Sequence, residues 1–144
     1  MQKIGQTWEK DGFLLRPARY EDAEEYFSQN FNPLDPEIAR LTGCKEAFTR
    51  DEVVSFFRQC VEADDRYDFL LTSPDGRIIG ESVINEIDWD TRCANYRICI
   101  FHPGERGKGI VRLLCKKENF PLEFQRNTEG EFWKNPFPFL ERGL

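Results

Sequence analysis

PGERGKGI, residues 103–110, packs glycines, a proline and two cations into one short loop. Upstream lies NYRICIF, an apolar strand-like run. Downstream, Ile110, Leu113 and Leu114 are spaced as the first turns of an amphipathic helix, expected over 110–119. The order is therefore strand, loop, helix. A helix N-terminus offers unpaired N–H groups and a partial positive charge, which suits an anion. Gly107 and Gly109 let a backbone approach a ligand closely, and Arg106 and Lys108 supply charge for phosphates. The sum is a cradle for a pyrophosphate. It is not a Walker A loop: Gly104 and Gly107-Lys108 stand at the wrong interval, and Gly109 follows where Ser or Thr is needed. Nor is it a dinucleotide fingerprint, because Arg112 occupies the third glycine position. A nucleotide-binding module fits this loop alone and fails on glycine spacing.

The segment before the loop has a consistent pattern. Phe13 to Pro17 reads as a strand closed by proline. Ala23, Tyr26 and Phe27 stand at helical spacing, predicting a helix over 21–29. Asn32-Pro33 and Asp35-Pro36 end it. A long connection to residue 50 follows, with a short helix expected over 37–41; such connections form lids or substrate walls. Thr49 and Glu52 form a capping box. Val53, Val54, Phe56, Phe57, Cys60 and Val61 then continue as a helical apolar stripe ending near residue 64. Residues 67–72 read as a strand, and Ser73-Pro74-Asp75-Gly76 as a turn. Residues 77–89 form a longer strand in which Gly80 marks a bulge or a close backbone approach. After the Asp90-Thr91 turn, Ala94, Tyr96, Ile98 and Ile100 alternate with Asn95, Arg97, Cys99 and Phe101. Three strands with short links predict an antiparallel meander.

Composition sets outer limits. The chain has 144 residues, enough for one domain with one core; 40% are apolar, 32% charged and 14% aromatic, with 13 Phe. A net charge of −6 excludes a general nucleic-acid binder and favours a cationic partner. The five cysteines form no CxxC pair and there is a single His, so no zinc site is expected; His102 reads as a loop residue. Free thiols in apolar runs suggest a reducing, cytoplasmic setting. No run is long enough to span a membrane, and the first residues lack a secretory signal.

With these elements in place the chain resembles the GCN5-related N-acetyltransferases (GNAT). Their acetyl-CoA motif is Arg or Gln, two residues, Gly, one residue, then Gly or Ala. Arg106 and Gly109 match, and Val111 departs from the last position. FLLRPARYEDAEEYF, DPEIARLTG, TRDEVVSFF, RIIGESVINEID and NYRICIFHP extend the likeness over residues 12–110, and it is similar to the ribosomal-protein and polyamine branch. The resemblance implies an α/β (α+β) fold with a mostly antiparallel sheet and flanking helices in one domain, 1–144. It implies acetyl-CoA as co-substrate, with the N–H groups of Arg106, Gly107, Lys108, Gly109 and Ile110 on the pyrophosphate and backbone groups near Phe101 on the pantetheine arm and thioester carbonyl. The acceptor would be a primary amine, a protein N-terminus or a polyamine, attacking directly. Glu81 and Glu86 are the candidate proton acceptors, with Asp88 a third. Glu81 and Asp88 have opposite strand parity and share a side only across a bulge. Residues 30–48 are expected to shape the acceptor pocket.

Beyond Ile110 the resemblance stops. The family's later helix brings a tyrosine that protonates the leaving thiolate, and no tyrosine follows Tyr96. Residues 119–144 are rich in Phe and Pro, with a hairpin expected over 122–133 and extended chain over 134–139. The C-terminal half is therefore expected to be incomplete, either a shortened member of the family or a truncated product with a shifted reading frame. A non-catalytic remnant that binds CoA weakly, or only self-associates, is the alternative function. An unpaired edge at the strand 94–101 would favour a homodimer through that edge, or coverage of it by the aromatic tail.

Overall fold

The structure is a computed structural model that describes residues 7–110. Cys115, most of the helix expected over 110–119, and the hairpin and extended tail lie outside the described residues. Five strands form one antiparallel sheet in sequence order: β1 (Trp8–Lys10), β2 (Phe13–Pro17), β3 (Tyr67–Thr72), β4 (Ile78–Asp88) and β5 (Cys93–Ile100). Helices α1 (Ala23–Asn30), α2 (Pro36–Thr42) and α3 (Arg50–Glu62) all lie between β2 and β3 in sequence.

Strand β1 was not expected. Its signal is the pair Asp11-Gly12, both with positive φ (54° and 85°), which closes a two-residue hairpin between Lys10 and Phe13. At the end of β2, Arg16 makes two parallel bonds to Asp22, at 2.8 and 2.9 Å. Asp22 also accepts from the Arg19 N–H, so one carboxylate turns the chain from sheet into helix. Helix α2 starts as its sequence dictates: Asp35 accepts from the Glu37 N–H and Pro36 occupies the first turn. Helix α3 carries the expected capping box between Thr49 and Glu52.

The sheet is covered on both faces. On one, Leu15, Phe69, Leu71, Ile79, Tyr96 and Ile100 pack together with Ile110. On the other, Leu70, Ile78 and Phe101 meet Ala23 and Tyr26 of α1 and Val53, Val54 and Phe57 of α3. The strict alternation of β5 thus divides its residues between two cores. Phe56 breaks the expected stripe of α3: it is 60% exposed. At 100° a residue it lies roughly 100° from the middle of the face made by Val53, Val54, Phe57 and Cys60.

Strand β4 is irregular twice. Its register with β3 shifts at Leu71/Thr72, and its register with β5 shifts between Asn85 and Asp88, where Glu86 takes φ 51°. Gly80 is a close approach: a Cβ there would stand 2.7 Å from the Cys99 carbonyl oxygen.

Candidate functional site

The loop after β5 turns through a short 3-10 segment, Pro103–Glu105, and reaches the helix start at Ile110. Gly107 and Gly109 both have left-handed φ, 79° and 74°. A Cβ at either would meet nothing within 4 Å among the described residues. The N–H groups of Gly107, Lys108, Gly109 and Ile110 have no backbone acceptor among the described residues. Lys108 is exposed and among the described residues reaches only Glu105, at 3.5 Å. These four residues fit an anionic ligand: open backbone, free donors and a cation.

Arg106 does not match that expectation. Its N–H donates to Pro103 O, at 3.1 Å. Its guanidinium turns inward, giving two bonds to Ile100 O (3.1 and 3.0 Å) and one to Asp35 Oδ2 at 2.6 Å. The Glu37 N–H and then the Arg106 guanidinium hold the Asp35 carboxyl below its usual range. Arg106 therefore ties the loop to the end of β5 and the start of α2.

Phe101 itself belongs to the core and the sheet. Its ring is buried and packs edge-on against Tyr26. Its N–H donates to Ile79 O at 3.0 Å, so it is part of the sheet. In an antiparallel ladder alternate residues point to opposite sides. The backbone groups facing away from β4 therefore belong to Ile98 and Ile100, the latter next to Phe101. No strand lies beyond β5 among the described residues.

On the α1/α3 side of the sheet is a cavity of about 580 Å³. Segment 30–48 forms much of its wall, through Asn30, Phe31, Leu34, Ile38, Leu41, Thr42, Cys44 and Phe48. Glu81, Arg97, Ile98 and Cys99 line it from the sheet, with Tyr26 of α1 and Phe56 of α3. Glu81 is buried, accepts from the Tyr26 hydroxyl at 2.8 Å, and stands 3.4 Å from the half-exposed Arg97 guanidinium. The charge of Glu81 raises the Arg97 pKa. Burial, then the charge of Glu81, pushes the Tyr26 hydroxyl well above its usual value, so it is a neutral donor. Burial pushes the Cys99 thiol up to about 12, which leaves it protonated and inert.

Of the candidate carboxylates, the structure brings only Glu81 to the cavity. Glu86 is exposed at the bulge, five residues along β4, or roughly 16 Å at 3.3 Å a residue. Asp88 accepts from the Asp90 and Thr91 N–H groups and builds the next turn. His102 leads into the 3-10 segment. Tyr26, Asn30 and Arg97 were not foreseen; Tyr26 and Asn30, four apart on one helix, were the available signal.

The sequence model of the acetyltransferase (GNAT) domain matches residues 13–117. The chain belongs to the GNAT acetyltransferase family. The co-substrate of GNAT enzymes is acetyl-CoA. Solved structures agree on the fold. One is the spermidine N-acetyltransferase from Vibrio cholerae in complex with CoA and spermine: 21% identity, TM-score 0.56, covering 73% of this chain and 60% of that one. Another is the ribosomal-protein-S5-alanine acetyltransferase from Vibrio fischeri: 20% identity, TM-score 0.57, covering 75% and 62%. A dodecameric form of the Vibrio cholerae enzyme matches at TM-score 0.53. This GNAT chain thus spans less than two thirds of the length of these structures. No curated protein sequence matches it. Among the described residues no helix is long and apolar enough to cross a membrane.

Proposed function

We propose that this protein transfers an acetyl group from acetyl-CoA to a primary amine. The observation that carries the reading is the pair of left-handed glycines, Gly107 and Gly109, open to solvent at a strand–loop–helix junction. Gly107, Lys108, Gly109 and Ile110 would hold the pyrophosphate through backbone N–H groups, with the Lys108 ammonium beside them. The outward backbone of Ile98 would pair with the pantetheine arm. Ile100 O is already taken by Arg106.

When bound, acetyl-CoA supplies a thioester carbonyl. The amine attacks with its lone pair, so it must arrive neutral. A C–N bond forms, the C–S bond breaks, and the thiolate takes a proton from solvent. Glu81 receives the proton the amine loses, directly or through one water. Tyr26 and Arg97 hold that carboxylate in place from two directions.

The same β5 edge is the one a homodimer would use. A dimer paired there would compete with the pantetheine arm, so acetyl-CoA would dissociate it. The experiment that tests the function is calorimetric titration with acetyl-CoA of the wild type, Gly109→Val and Lys108→Glu. Binding that both variants weaken at least tenfold supports the reading. A folded protein that takes up no acetyl-CoA refutes it and leaves the non-catalytic remnant.

A further inference from the structure

We infer that the acceptor is a monoamine, a single amino group carried on an aliphatic or aromatic body, and not a polyamine. This rests on the acetyltransferase reading and on the cavity as the acceptor site.

Size and walls come first. About 580 Å³ accommodates a small organic molecule. The walls contributed by Phe31, Leu34, Ile38 and Phe48 are apolar. Leu41 and Phe56 line the cavity and yet remain 68% and 60% exposed. They are two of the four large apolar side chains left exposed among the described residues. An apolar body lying between them would remove both from water.

Charge decides the rest. Among the described residues two carboxylates line the cavity, and each already has a cation: Glu81 has Arg97, and Glu52 has Lys45 at 2.7 Å. A polyamine brings several ammonium groups, and each needs a partner once water is excluded. Among the described residues the cavity has no carboxylate left for the second. One acceptor is free. Asn30 is 4% exposed, and its Oδ1 has no hydrogen-bond partner among the described residues. A buried acceptor without a donor is costly and rare. Asn30 lies one turn after Tyr26 on α1, on the face that carries the hydroxyl bound to Glu81. An N–H of the acceptor amine satisfies Oδ1 and leaves the nitrogen lone pair free. One orphan acceptor beside one carboxylate reads one amine.

The test is calorimetric titration of the full chain with phenethylamine and with spermidine, each without acetyl-CoA, followed by initial rates with it. Phenethylamine is expected to bind, and its kcat/KM to exceed that of spermidine at least tenfold. Asn30→Leu and Phe56→Asp should each weaken phenethylamine at least tenfold and leave the Kd of acetyl-CoA within twofold. Phe56 is exposed, so its variant folds even if Asn30→Leu does not. Tighter binding or faster turnover of spermidine overturns the inference. So does phenethylamine binding that Phe56→Asp leaves unchanged, or no binding of either amine. Phenethylamine binding by a chain that takes up no acetyl-CoA keeps the monoamine site and overturns the enzyme.

Discussion

Gly80→Ala should loosen the β4–β5 pair. Gly80 pairs with Ile100, and a Cβ at Gly80 would lie 2.7 Å from Cys99 O and 3.0 Å from Ile100 Cδ1. The Ile100 side chain can rotate. The Cys99 carbonyl is backbone and yields only if β5 moves. Overpacking of this kind costs about 1–3 kcal/mol. With unfolding entropy near 2.1 cal/mol/K a residue, a chain of 144 residues loses about 3 °C per kcal/mol, so the Tm should fall by about 3–10 °C. The displaced strand carries Ile100, whose carbonyl holds Arg106 and hence the loop. Acetyl-CoA affinity should therefore fall with the Tm. The control is Gly104→Ala, where a Cβ meets nothing within 4 Å; it should stay within about 0.5 kcal/mol. Thermal melting by circular dichroism and calorimetric titration read the two effects. A Gly80→Ala melt within about 1 °C of wild type refutes the argument, because it would mean the strands are not in contact at that distance.

Tyr26→Phe removes the hydroxyl that donates to the buried Glu81. A hydrogen bond to a charged group contributes about 1.5–3 kcal/mol. The Tm should fall by about 5–10 °C, with phenethylamine turnover reduced more than acetyl-CoA binding; an unchanged melt would show that water replaces the bond. The pH dependence follows from Glu52. Lys45 and then the Thr49 N–H lower its pKa from 4.5 to about 2. Its folded value lies below its unfolded value, so its stabilising contribution is complete above about pH 4.5 and fades as pH falls towards 2. Glu52→Gln keeps the reach to the Thr49 N–H and loses the charge. The Tm gap between wild type and Glu52→Gln should therefore be widest above pH 5 and close towards pH 2. A gap constant across that range would show that the charge is not what Glu52 contributes.

Periodicity made most of the sheet legible because each face of β5 enters a different core, and alternation is what such burial demands. The capping box of α3 and the turn at Gly76 were legible for the same local reason: each needs only residues within four positions of one another. What was not legible depends on register. Glu81 and Glu86 look alike in sequence; one is buried beside Tyr26 and the other sits exposed on a bulge, and the bulge is a property of the pairing with β5. Phe101 and Ile100 are adjacent, yet only pairing with Ile79 decides which backbone faces the sheet. Strand β1 was missed because Trp8 is its one large apolar residue, too little for a pattern, although Asp11-Gly12 was a sufficient turn signal.

Arg106 joins three parts of the structure through one guanidinium. The spacing that places Arg106 three residues before Gly109 was read as a phosphate cation. Its guanidinium instead closes three bonds inside the protein, two to the end of β5 and one to Asp35. Asp35 caps α2 through its other oxygen, to the Glu37 N–H at 3.0 Å. Helix α2 contributes Ile38 and Leu41 to the cavity wall. One side chain thus spans the proposed pyrophosphate loop, the strand edge and the wall of the cavity. A bound phosphate that displaced the loop would pull on Asp35 through a charged bond, and Asp35 caps the first turn of the seven-residue α2. The loop and the α2 part of the cavity wall are therefore joined through the Arg106–Asp35 pair.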